Sequence, residues 1–133
     1  MKREQARRRR AILLAVTDAG VEATIYDAAR RFPTDLAARK ACLETMVKDL
    51  ASLEENVRIL IERDDSLVTA DRRHLYELVR GAGAVDRLGY KHGKAHEEPL
   101  LALPDIVAWA WVRSGEWRRR LGPVVKQVRH VGS

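Results

Sequence analysis

Apolar residues recur at spacings of three and four over 3–18, where Ile12, Leu13 and Val16 form a stripe behind a run of arginines. That period predicts a helix, and Gly20 stands where a C-terminal cap is expected. Val21, Ala23 and Ile25 then alternate with Glu22, Thr24 and Tyr26, so a strand is expected over 21–28. Phe32-Pro33-Thr34 breaks the chain. Thr34 is a candidate N-cap, and Asp35 suits the positive end of a helix dipole. Leu36, Leu43, Met46, Val47, Leu50 and Leu53 keep one helical face apolar to about Glu54.

The run Val57, Ile59, Leu60, Ile61 is nearly continuous and predicts a strand over 57–62, of the kind covered on both faces in a parallel or mixed sheet. Arg63-Asp64-Asp65-Ser66 ends it in a loop. Leu75, Leu78 and Val79 predict a helix over 70–81, stopped by Gly81 and Gly83. Leu88, Tyr90 and His92 alternate with Arg87, Gly89 and Lys91 in an exposed or edge strand. Pro99 suits a first helical position behind Glu97 and Glu98. The helix it opens, to about Val112, is apolar almost all round and is expected to be central and buried. Ser114-Gly115 breaks it, and a basic helix is expected over 116–129, with Gly122-Pro123 as a point of interruption. The order of elements makes the chain α/β, with about three strands and helices packed on the sheet.

The chain has 133 residues, which fits one domain over 1–133. Its single cysteine, Cys42, excludes an internal disulfide and a cysteine-based zinc site, and is expected to be structural and buried. No apolar run approaches the roughly 18 residues of a membrane span, and 11–16 is too short for a signal peptide, so a cytoplasmic location is expected.

The net charge of +6 is uneven. Residues 1–10 carry six basic side chains against one acid, and so do residues 113–129, whereas 11–112 holds thirteen basic against seventeen acidic. Basic ends suit a polyanion such as nucleic acid, with Arg7, Arg8, Arg9, Arg10, Arg118, Arg119 and Arg120 as candidate contacts. The plainer reading is a set of solvated helix faces.

Asp105 stands out because an acid inside an apolar helix needs a partner, a metal ion or a wet cleft. Asp64 and Asp65 follow the strand over 57–62, at the end where α/β sheets gather ligand groups, and Glu62 is still on that strand. Such oxygen donors suit Mg or Mn, and two such ions can drive phosphodiester cleavage. His92 and His96 could assist a metal or a phosphate, but four residues apart in a strand-to-loop stretch they form only a weak pattern. Walker, GxGxxG, HExxH and GxSxG sequences are absent, which argues against P-loop hydrolysis and serine chemistry.

The stretches Ile59-Leu60-Ile61-Glu62-Arg63-Asp64-Asp65-Ser66-Leu67 and His96-Glu97-Glu98-Pro99-Leu100-Leu101-Ala102-Leu103-Pro104-Asp105-Ile106-Val107-Ala108 resemble the later part of a family of RNase H-like bacterial proteins of unknown function, abundant in actinobacteria. The resemblance runs from about Arg7 to Arg120. It implies an RNase H-like fold and a divalent-metal nuclease whose acids would fall at Asp64 or Asp65, with Glu62 behind them, and at Asp105. The family's two opening strands, the first with an Asp-Glu pair, have no counterpart before Met1-Lys2-Arg3-Glu4. The chain is thus expected to be an N-terminally truncated member or one whose true start lies upstream, of low or no activity on its own. Either the strands over 21–28 and 57–62 then pair directly, or an apolar sheet edge stays open to a second copy or partner strand. A non-enzymatic nucleic-acid-binding module and a small protein-interaction domain stand as alternatives.

Overall fold

The computed structural model describes residues 2–132. Met1, the first residue of the basic stretch 1–10, and Ser133, the last of the chain, lie outside them. Among the described residues the elements are α1 (Lys2–Asp18), β1 (Ala23–Asp27), α2 (Asp35–Ser52), β2 (Val57–Glu62), α3 (Val68–Gly81), β3 (Leu88–Gly93), a 3-10 turn (Pro99–Leu101), α4 (Ala102–Arg113), α5 (Gly115–Arg120) and β4 (Val125–His130). The protein is α/β. The strands number four rather than three, in two two-stranded sheets, β1 with β4 and β2 with β3.

The chain divides into two compact units, one of residues 1–25 with 99–129, the other of residues 26–98 with 130–133. The division falls inside β1 and β4. Their pairing is marked by Ala23 N–H donating to the Val124 carbonyl and Val131 N–H donating to that of Asp27, each at 2.9 Å.

In the first unit α1 and α4 pack together around Leu13, Ile106, Val107, Ala110 and Leu121, with Trp109, Trp111 and Trp117 against them. Leu13 and Val16 are buried as the stripe requires, whereas Ile12 is 37% exposed. Gly20, at φ +72°, ends α1 in the left-handed conformation that glycine adopts without strain. Two expectations are corrected here. α4 buries only one side: Ile106, Val107 and Ala110 face the core, while Asp105, Ala108 and Val112 are exposed. A small unit has too little mass to cover a helix all round, so an apolar sequence does not guarantee a central place. The basic helix expected over 116–129 stops at Arg120. Pro123 disfavours helical backbone before it, and the β-branched Val124, Val125, Val128 and Val131 carry the chain into β4 instead.

In the second unit α2 and α3 pack on each other and α3 packs on β3. Thr34 accepts the Ala37 N–H at 3.1 Å, as an N-cap should. β2 and β3 run parallel in register from Val57 opposite Leu88 to Glu62 opposite Gly93, with α3 as the crossover between them. Alternation sends Val57 and Ile61 of β2 and Leu88 and Tyr90 of β3 into a core with Val47, Leu75, Val79 and Ala84. The C-terminal ends of both strands are therefore side by side.

Candidate functional site

Asp64 and Asp65 leave β2 at that end, as the sequence indicated. Asp64 Oδ1 accepts from the Ser66 N–H at 2.9 Å and from the Ser66 hydroxyl at 2.6 Å. The hydroxyl first, then the N–H, hold its carboxyl below the usual carboxylate range. Its carbonyl accepts from Leu67 and Val68 at the start of α3. Asp65 accepts from Arg63 Nε at 2.9 Å and lies 3.8 Å from Lys94 Nζ. Protein donors thus occupy Oδ1 of each carboxylate, and the Lys94 ammonium lies near Oδ2 of Asp65. Glu62 ends β2 and is exposed.

Asp105 belongs to the first unit, and Asp64, Asp65 and Glu62 belong to the second. Among the described residues, no group of three or more His, Cys, Asp or Glu side chains is placed to hold a metal ion. Cys42 is half-buried with its Sγ 3.7 Å from the Tyr26 carbonyl, and burial, then Asp27, push its thiol up, away from reactivity.

The most deeply built polar group is one the sequence reading passed over. Asp71, on α3, is only 1% exposed. Arg39 of α2 grips it with two parallel bonds, Nε to Oδ1 and Nη2 to Oδ2, each 2.8 Å. His92 Nε2, from β3, lies 3.2 Å from the same Oδ2. Burial raises the Asp71 carboxyl, but the hydrogen bonds and charges of Arg39 and His92 outweigh it and leave the group below its ordinary value. Asp71 is therefore an ionised acceptor, which makes Nε2 the donating nitrogen of His92. The signal was present in the sequence. Val68, Asp71, Leu75 and Val79 share one buried face of α3, so Asp71 is an acid on an apolar stripe. The same logic singled out Asp105, whose helix proved exposed on the acid's side.

The arginines of the two chain ends come together in the first unit, which holds twelve basic residues against five acidic, whereas the second unit holds thirteen against fourteen. The predicted contacts divide into two groups. Arg9 lies 4.1 Å over the Trp109 ring, Arg10 is 5.4 Å from Trp117, and Arg118 is 4.1 Å over Trp111. Arg10 also pairs with Glu116 at 3.0 Å, and its hydrogen bond is the main reason the Glu116 carboxyl is held below its usual range. Arg120 reaches the same carboxylate at 3.7 Å. Arg7, Arg8 and Arg119 are exposed, as are Arg3 and Arg113. Arg3, Arg7 and Arg10 follow at spacings of four and three and so share one ridge of α1.

No protein-family model, curated protein or solved structure matches the chain.

Proposed function

We propose that this protein binds nucleic acid, without regard to sequence, through the basic surface of its first unit. The observation that carries this is the gathering of both arginine-rich chain ends into one compact unit whose basic residues outnumber its acids by more than two to one. Like charges at helical neighbour spacing repel, so Arg3 and Arg7 on that ridge carry a cost that a phosphate backbone relieves. Arg9 and Arg118, each 4.1 Å over a Trp ring, have less freedom to lose when phosphates bind.

Fluorescence anisotropy with a labelled random oligonucleotide tests this across a salt series. Affinity should fall linearly on a log–log plot. Arg3→Gln with Arg7→Gln should flatten the slope by about two, roughly one per lost phosphate contact. Salt-independent binding, no binding, or an unchanged slope would refute the reading.

A second reading, the RNase H-like nuclease requiring Mg or Mn, is supported by the position of Asp64 and Asp65 at the C-terminal end of a parallel strand. Asp64 and Asp65, with Glu62, would hold the ions in that reading. Thermal stabilisation by Mn that disappears in Asp64→Asn with Asp65→Asn supports it; stabilisation that persists counts against it.

A further inference from the structure

Beside the Asp71 clamp, α3 and β3 enclose an open depression of about 540 Å³ lined by Arg72, Arg73, Tyr76, Tyr90, Lys91 and His92. Its chemistry is one-sided: three cations, two phenols and an imidazole, with no carboxylate in the lining. Lys91 is compensated by Glu98 at 3.0 Å. Arg72 and Arg73 are exposed and take part in no ion pair among the described residues.

His92 adds a built element. Its side chain is only 2% exposed, and Nε2 is spent on Asp71. Nδ1 has no partner in the protein, yet no buried side-chain nitrogen or oxygen is left unsatisfied among the described residues. Nδ1 is therefore not sealed from solvent, and His92 lines the depression. Asp71 fixes which nitrogen that is, and Arg39 fixes Asp71. A side chain so constrained presents one atom in one direction, as the carboxylate–histidine pairs of binding and catalytic sites do.

We infer that this depression binds a phosphoryl group, with Arg72 and Arg73 supplying charge-assisted bonds, Tyr76 and Tyr90 hydroxyl donors, and the His92 ring set beside them in the lining. A tetrahedral oxyanion has acceptors in several directions, and residues with donor groups line the depression from both a helix and a strand. Arginine forks match phosphate oxygens in pairs, which favours phosphate over a monovalent anion. Asp71 and Arg39 are positioning residues: they orient His92 and touch no ligand. The site lies in the second unit and stands whether or not the first unit binds nucleic acid. The phosphoryl group comes either as inorganic phosphate or as the 5′-phosphate of an oligonucleotide.

Imidazole 15N–1H spectra of the full chain, titrated with inorganic phosphate, test the inference. His74, His96 and His130 serve as internal references. The His92 resonances should move saturably, and Arg72→Gln with Arg73→Gln, both surface changes that leave the clamp intact, should weaken apparent affinity about tenfold or more. A 5′-phosphorylated trinucleotide that shifts His92 at lower concentration than phosphate, while its 5′-hydroxyl form does not, identifies the nucleic-acid end as the source. Equal or weaker action of the trinucleotide identifies free phosphate. His92 resonances unmoved by either ligand at tens of millimolar, or a double variant that binds as wild type does, would overturn the inference.

Discussion

Replacing Asp71 with alanine removes the acceptor of three hydrogen bonds at once, two from Arg39 at 2.8 Å and one from His92 at 3.2 Å. Deleting one partner of a buried ion pair costs about 3–5 kcal/mol, because the other charge stays behind without compensation. Arg39 is 34% exposed, so water recovers part of its solvation, and the lower end of that range applies. His92, at 2% exposed, recovers little. The expected loss is about 3 kcal/mol, or roughly 10 °C in Tm for a chain of this length. Urea and thermal unfolding followed by far-UV circular dichroism measure it. Trp109, Trp111 and Trp117 all belong to the first unit, so indole fluorescence is the wrong probe. Arg39→Met combined with Asp71→Leu should restore part of the loss, since an apolar pair replaces a buried ionic one at little cost while His92 still lacks its acceptor. In the double-mutant cycle the coupling should be about 2 kcal/mol. A loss under about 1 kcal/mol, or strictly additive single changes, would show that the clamp is not what holds α2, α3 and β3 together.

Acid should act through the same group. The folded-state pKa of Asp71 lies below its ordinary value, so the unfolded chain takes up the proton first. Its contribution is complete above about pH 4 and is lost as pH falls through the lower folded value. The stability gap between wild type and Asp71→Asn should therefore narrow below about pH 4; a gap that widens on acidification contradicts the assignment. Thr34→Ala should lower thermal stability by about 1 kcal/mol through loss of the α2 cap, with Thr34→Asn close to wild type. If alanine and asparagine behave alike there, the cap bond contributes nothing.

Local pattern carried much of this fold. The period of 3.6 that places Leu13 and Val16 on one face of α1 also marks α2, and the run from Val57 to Ile61 marks β2, because propensity and alternation act over a few residues. Gly20, Thr34 and Ser114-Gly115 mark ends for the same reason: capping and left-handed backbone are properties of one or two positions. Strand partners were not legible. β1 takes β4 across about a hundred residues of sequence, a pairing that no local rule ranks above its competitors, and β4 itself was hidden behind helix-favouring arginines until Pro123 and the valines after it are weighed together.

The site divides in the same way. The sequence alone determined a two-ended basic chain, an acid pair behind a core strand, and acids set among apolar neighbours at Asp71 and Asp105. Only the tertiary structure decided which of those acids is buried: Asp71 because α2 and β3 bring Arg39 and His92 to it, and not Asp105, whose side of α4 nothing in its own unit covers. Burial of a charge depends on partners contributed by distant segments, and their meeting is a property of the folded chain rather than of any stretch of it.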